Sequence, residues 1–352
     1  MKSAADAATK QNIHLTAAKC GEEDRLPFHP AVEMISDNAG VFKRQTLPDL
    51  VGGTAWVFSR AEAEGQFDYL FIDEAGQVSL AMLVAMAPSA SNLILLGDQM
   101  QLSQPIRGVH PGESGTSILE YYLENHATIA EDRGIFLPTT WRMRPEICSF
   151  ISNAIYDGKL GHELYTETRS MHFTKPTKYL HRSTGLVYVP VDHEGNTYES
   201  EEEIGAIEQI VSELIGQNLV QDGHSPRLIS ADDILVVAPF NLQVRRLKTA
   251  LPGIRVGTVD KFQGQQAPVV LFSMTASDGD ASPRGMEFLF DKHRLNVAIS
   301  RAQILAVIVA SPKLERTRCA KLEQIPLVNI FCRAVHEGSR RLARRGAGER
   351  VA

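Results

Sequence analysis

The chain has 352 residues, 43% of them hydrophobic, and a formal net charge of -6. That length and apolar content support one or two sizeable cores, about two domains, while the charge excludes a uniformly basic surface, so any nucleic-acid site has to be local. No apolar run approaches the roughly 18 residues of a membrane span, and "MKSAADAATKQN" lacks the apolar stretch of a secretory leader; a cytoplasmic protein without membrane attachment is expected.

The four cysteines, Cys20, Cys148, Cys319 and Cys332, never fall at the spacing of a zinc or iron–sulfur site and read as ordinary thiols. Residues 1–45 are polar and alanine-rich, with breakers at Gly21, Pro27, Pro30 and Gly40, and are expected to form an irregular or partly helical lead-in. From there strand-like and helical runs alternate: "TAWVFS", "YLFIDEA", a helix through "SLAMLVAMAP", then "NLILLGD". A second series follows, with "GIFLPTT", a helix from Pro145 to Asp157, "GLVYVPV", a helix near "SEEEIGAIEQIVSELIGQ", "DILVVAPF", "NLQVRRLKTAL", "IRVGTVD", "PVVLFSM", a helix around "DKHRLNVAISRAQ", and "LAVIVAS". Such alternation predicts α/β lobes with parallel sheets and crossover helices. The expected division is a first lobe over 46–133, a second over 134–335, and a basic, disordered tail over 336–352.

At "YLFIDEAGQVS" a buried strand ends on two carboxylates, Asp73 and Glu74. In open α/β sheets ligands sit beyond the carboxyl ends of the strands, where one carboxylate can hold Mg²⁺ and another can orient a water. Alone, the pair fits a strand meeting solvent equally well. The next strand, in "NLILLGDQMQLSQP", ends on Gly97 and Asp98 and adds Gln101 and Gln104, amides suited to contacting a phosphate oxygen and a water together. "LPTTWRMRPEI" places Arg142 and Arg144 just before a helix that opens at Pro145, and arginine matches phosphate geometry. "VGTVDKFQGQQAPVVLFSM" supplies Thr258, Asp260, Gln263 and Gly264, useful against phosphates or a ribose but also compatible with an ordinary connection. Arg294 and Arg301 are seven residues apart, nearly on one helix face; a solvated basic stripe explains them as well.

These segments, in this order, resemble the motifs of superfamily 1 helicases of the 1B branch, which contains the nonsense-mediated-decay helicase and the Okazaki-fragment helicase-nuclease. "FIDEAGQ" resembles motif II, "GDQMQLSQP" motif III, "TTWRMRPEI" motif IV, "GTVDKFQGQQ" motif V and "RLNVAISRA" motif VI, over about residues 50 to 312. The resemblance implies two RecA-like lobes, ATP and Mg²⁺ as cofactors, single-stranded nucleic acid as partner with DNA ahead of RNA, and 5′ to 3′ movement. By the same resemblance Asp73 would serve Mg²⁺, Glu74 the attacking water and Gln101 the γ-phosphate. Arg142 and Arg301 would act as arginine fingers, with Asp98, Gln263, Gly264 and Arg294 at ATP and Thr258 and Gln104 at the nucleic acid.

Trp141 replaces the usual tyrosine, and Gln266 stands where many relatives have glutamate. No "GxxxxGK[ST]" occurs in the 352 residues, so the phosphate cradle of backbone N–H groups and its lysine is missing and the first lobe is expected to be incomplete. "GDQMQLSQP" followed by "HPGESGTS" looks most like the helicase part of bacterial fusions with a RecB-like nuclease. A truncated or split gene product is therefore expected, inactive on its own, its P-loop and nuclease lying upstream or on a separate chain. The alternative is a catalytically silent nucleic-acid or partner-binding module that has lost the P-loop.

Overall fold

The computed structural model describes residues 1–21, 29–102, 108, 110–124, 126–279 and 282–340. The chain divides into two compact units, one of Met1–Gln99 with Ser103–Asn125, the other of Met100–Leu102 with His126–Ala352. Both are α/β with mainly parallel sheets, as the alternation predicts.

In the first unit a helix α1 (Lys2–Lys10) leads to β1 (Ala17–Cys20), β2 (Val32–Ile35) and β3 (Leu50–Gly52). These strands form a parallel sheet in the order β2-β1-β3. The lead-in, expected to be irregular or partly helical, has its helix but also two strands the sequence reading did not foresee: α1 lays Ala5 against Ala17 and Val32, with Met1 and Leu50 packed on them. "AAKC" lacks the β-branched and aromatic residues that mark strands, so tertiary pairing overrides a weak local signal here. A second correction concerns "TAWVFS", expected as a strand, which forms the single helical turn α2 (Ala55–Phe58), with Val57 and Phe58 buried and Trp56 exposed. A short apolar run does not by itself distinguish a strand from one turn of helix.

Beyond α2 come β4 (Phe67–Ile72), α3 (Leu80–Met86), β5 (Ala90–Leu95) and α4 (Ile118–Leu123). β4 and β5 pair in parallel, Leu70 opposite Leu93 and Ile72 opposite Leu95, as a two-stranded sheet. Tyr69 and Phe71 on β4 are 58% and 60% exposed, unusual for parallel strands, which are normally covered on both faces.

The second unit opens with β6 (Thr139–Thr140), so only the end of "GIFLPTT" is strand, and α5 (Pro145–Ile155). After β7 (Gly161–His162), β8 (Ser170–His172) and β9 (Gly185–Pro190) come α6 (Glu201–Leu214), β10 (Asn218–Val220), β11 (Arg227–Leu228), β12 (Ile234–Val237), α7 (Asn241–Ala250) and β13 (Arg255–Gly257). β14 (Ala267–Ser273), α8 (Met286–Leu289), α9 (Lys292–Ser300), β15 (Ala302–Ala310) and α10 (Gln324–Ser339) complete it. The central sheet runs β13-β12-β14-β15-β9, all parallel. Every residue of β14 and β15 is buried, the continuous apolar pattern of strands covered on both sides. One face packs Leu186, Val270 and Ile308 with Ile147 of α5, Leu295 of α9 and Phe331 of α10; the other packs Val187, Leu271 and Val307 with Ile207 of α6 and Leu247 of α7.

The observed division falls at Asn125, ahead of the expected 133, and assigns Met100–Leu102 to the second unit. α10 runs through residues 336–339, correcting the start of the expected disordered tail; residues 341–352 lie outside the described residues.

α10 approaches β9 closely enough that a Cβ on Gly338 would sit 2.6 Å from the Tyr188 backbone nitrogen, whereas one on Gly205 of α6 would meet nothing within 4 Å. Gly338→Ala should therefore destabilise the protein by about 1 to 3 kcal/mol through overpacking. Gly205→Ala, inside a helix, should stabilise it by about 0.5 to 1 kcal/mol. Urea unfolding of the two variants checks both signs.

Candidate phosphate and nucleic-acid site

The acidic pair ends β4. Glu74 adopts a left-handed backbone conformation, φ 51, unusual for a residue with a side chain, and its N–H donates to Asp73 Oδ1 at 2.9 Å. Glu74 also accepts from Gln77 Nε2 at 3.5 Å. The turn is clamped onto the end of β5, since Ala75 N–H donates to the Leu96 carbonyl at 2.8 Å. Two glycines allow that approach: a Cβ on Gly76 would lie 2.8 Å from the Asp98 carbonyl oxygen, and one on Gly97 would lie 2.8 Å from the Ala75 nitrogen. The glycines of "DEAG" and "LGD" thus let two strand ends touch, and Asp73, Glu74 and Asp98 share one edge of the first unit, the first two exposed.

In the second unit the polar side chains gather at the amino ends of β14 and β15, opposite to the edge expected from strand-end reasoning. Arg301, the last residue before β15, is buried, and its Nη2 donates to Gln101 Oε1 at 2.8 Å; its Nη1 donates to the Gln265 carbonyl at 3.4 Å. Gln101 is held there because its neighbours are core: Met100 and Leu102 are buried in the same cluster as α9, and Asn296 Nδ2 donates to the Met100 carbonyl at 2.9 Å. Arg142, half-buried, donates from Nε to Gln266 Oε1 at 2.9 Å and from Nη1 to the Ser300 carbonyl at 3.3 Å. Gln266 therefore has a definite partner even with glutamate replaced.

Arg294 lies apart from Arg301. It pairs with Asp260 at 3.1 Å and stacks its guanidinium over Phe288 at 4.4 Å. Thr258 is half-buried just after β13, Gly264 has φ +75, a conformation that calls for glycine, and the Gln263 Nε2 is buried without a hydrogen-bond partner. Such a buried donor is costly unless something bonds to it. Gln104 lies outside the described residues.

Sequence reasoning missed three features. Trp141 is 63% exposed beside Arg142, its ring 6.0 Å from that of Tyr165. Arg144 is structural, donating twice to Glu146 at 3.0 Å and once to the Glu167 carbonyl at 2.7 Å. A buried polar network closes the carboxyl end of β14: Glu203 accepts from the Thr275 N–H at 2.9 Å and faces His193 Nε2 at 3.1 Å, while His193 Nδ1 faces Ser277 Oγ at 2.8 Å. It holds Thr275, a β-branched residue, at φ 70, a backbone strain that persists only when its surroundings enforce it. The sole hint in the sequence was three glutamates opening a helix behind Ser200. Burial pushes the Cys148 thiol up to about 11, so it stays protonated and inert at neutral pH; among the described residues no group of three or more metal-ligating side chains occurs.

The second unit is thus a parallel α/β sheet covered by helices on both faces, with arginines and amides collected at the amino ends of two of its strands. Residues 114–313 match the model of a family described as an AAA domain, and residues 11–111 match the viral superfamily 1 RNA helicase core domain. The chain is 27% identical over 292 residues to the DNA replication ATP-dependent helicase/nuclease JHS1 of Arabidopsis thaliana, covering 78% of this chain and 20% of that protein. It is 29% identical over 309 residues to the DNA polymerase alpha-associated DNA helicase A of Schizosaccharomyces pombe, covering 82% and 44%, and 25% identical over 265 residues to the regulator of nonsense transcripts 1 homolog of Drosophila melanogaster, covering 71% and 21%. An arterivirus nonstructural protein 10 helicase solved with DNA aligns at a TM-score of 0.43 and 14% identity, covering 88% of this chain and 51% of that one. The chain belongs to the AAA domain family, among the superfamily 1 helicases. It spans less than half the length of the three curated relatives named.

Burial alone would raise the pKa of Glu146, but its bonds to Arg144 and the charge of that guanidinium outweigh burial and hold the carboxyl below its ordinary range. A folded-state pKa below the unfolded one adds stability that is complete above the unfolded value and is lost as pH falls through the folded one. The melting-temperature gap between the wild type and Glu146→Gln should accordingly be constant near neutrality and close as the pH is lowered through the acidic carboxylate range. A gap that ignores pH would remove the ion pair from the account.

Proposed function

We propose that this chain is the helicase portion of an ATP-dependent 5′ to 3′ DNA helicase or translocase acting in DNA repair or replication. The observation that carries the reading is the seat of Gln101 on buried Arg301, with Arg142 beside the same strand ends on Gln266: amide and guanidinium groups of the kinds that bind phosphate oxygens, built on a rigid sheet. The exposed acidic turn supports it. Mg²⁺ binds through one or two carboxylates while keeping several waters, and Asp73 with Glu74 suits that demand, so Asp73 would hold the ion and Glu74 would take a proton from water. Bound Mg²⁺–ATP would supply the phosphoryl group whose charge the arginines neutralise. Gln101 would contact the terminal phosphate, Gln263 and Gly264 the nucleotide side, and the exposed face of Trp141 would accept the base. Asp98 and Arg294 would complete the nucleotide surroundings, Thr258 and Gln104 the contact with single-stranded DNA. DNA in preference to RNA, and the direction of travel, rest on the resemblance.

The phosphate-cradling segment does not occur within these residues, so the reading requires it from a further segment, upstream or separate, joined in this reading to a RecB-like nuclease. The same fact favours the second reading, a silent binding module.

Phosphate release from the chain alone should stay at background with and without single-stranded DNA and Mg²⁺, and DNA binding should be weak and fall steadily with salt, as backbone contacts dictate. Adding the cradle-bearing segment should restore DNA-stimulated hydrolysis. In that assembly Glu74→Gln should bind ATP without hydrolysing it, and Arg301→Ala should lose about a thousandfold in kcat. Failure of any added segment to restore turnover, with DNA binding intact, would select the silent module.

A further inference from the structure

Arg169 is buried in the second unit, its side chain only 3% exposed, and none of the motifs includes it. Its guanidinium reaches two consecutive carbonyls, those on either side of the Arg142 Cα: Nη1 donates to the Arg142 carbonyl and Nη2 to the Trp141 carbonyl at 3.3 Å. The same Nη2 donates to the Tyr165 hydroxyl at 3.2 Å, the guanidinium lies 5.1 Å over the Tyr165 ring, and Nε pairs with Asp222 Oδ1 at 2.5 Å. Tyr165 closes the loop by donating to the Trp141 carbonyl at 2.7 Å. We propose that Arg169, oriented by Asp222, is a positioning residue that aims the side chains of Trp141 and Arg142. The inference rests on the reading above for what those two side chains meet, but not for the geometry itself.

The placement follows from the strands. β8 and β10 pair antiparallel, with Val220 opposite Ser170, so Arg169, immediately before β8, and Asp222, just beyond β10, emerge at the same end of the ladder. Arg144 anchors the backbone of Arg169 by donating to its carbonyl. A planar guanidinium with five donors can hold two successive carbonyl oxygens, a hydroxyl and a carboxylate together, which an ammonium cannot. Fixing two successive carbonyls fixes the two peptide planes that meet at Arg142, hence its φ and ψ and the direction in which its side chain leaves the chain, and it restrains Trp141 from the carbonyl side. The Trp141 ring is mostly exposed, and the Tyr165 ring lies 6.0 Å from it, so its orientation leans on its backbone and on Tyr165.

The test exploits the presence of only two tryptophans. In a Trp56→Phe background, Trp141 alone reports. Without ligand, Arg169→Lys, Arg169→Met and Asp222→Asn should each lower the anisotropy of Trp141 and raise its quenching by acrylamide, Asp222→Asn least, with Asp222→Glu restoring both and far-UV circular dichroism unchanged throughout. In the assembly with the cradle-bearing segment, titration with Mg²⁺–ATP followed by calorimetry should show about a tenfold loss of affinity in Arg169→Met, the typical worth of hydrogen bonds to a charged group. Should Arg169→Met fail to fold, Asp222→Asn decides, since Asp222 is partly exposed and its loss leaves Arg169 in place but unaimed. Unchanged Trp141 signals in folded Asp222→Asn and Arg169→Lys would overturn the proposal. An assembly built on the Trp56→Phe parent that does not bind Mg²⁺–ATP would count against the nucleotide reading alone, and the ligand-free arm would still decide the role of Arg169.

Discussion

Three residues, Met100, Gln101 and Leu102, carry more consequence than any helix of the protein. They follow the strand of the first unit yet are built into the core of the second, Met100 and Leu102 buried among the side chains of α5 and α9 and the Met100 carbonyl capped by Asn296. With its neighbours immobilised on both sides, Gln101 has little choice of direction, and its amide meets Arg301. A guanidinium sunk this deep needs hydrogen-bond acceptors to offset its lost hydration. The apolar packing of 100 and 102 therefore brings an acceptor to a cation, and a residue type suited to sensing phosphate is held by burial at its two neighbours.

The arginines divide into two kinds by what they bind. Arg144 and Arg169 hold carboxylates and main-chain carbonyls and so act on the shape of the segment between β6 and α5. Arg142 and Arg301 donate to amide side chains and single carbonyls. Arg294, two helical turns before Arg301, is closer to the first kind, fixed by Asp260 and the face of Phe288. Equal spacing on a helix thus conceals unequal environments, because one residue lies along the helix and the other at its end, where the chain enters the sheet.

Much of this was legible before any coordinates. Long, fully apolar runs such as "PVVLFSM" and "LAVIVAS" identified parallel strands covered on both sides, and β14 and β15 are that. The acidic turn after β4 was legible from residue order. Illegible were the elements whose structure comes from partners rather than local preference: the alanine-rich β1, strand only because β2 and β3 flank it, and α2, too short to show a period. Arg169 and Asp222 were invisible for a related reason, since 53 residues separate them and only the register of two three-residue strands brings them together. The division of the chain also escaped, as nothing in "MQL" announces that it is core of the later unit.

The exchange of glutamate for Gln266 changes how Arg142 is restrained. A carboxylate there would form an ion pair, sensitive to salt and lost on acidification, whereas an amide oxygen forms a neutral-acceptor bond that does not titrate. Bonds of guanidinium to uncharged acceptors lie at the weaker end of charge-assisted contacts. The bond from Arg142 to Gln266 keeps its character across pH, because neither an amide nor a guanidinium changes charge in the range where carboxylates titrate.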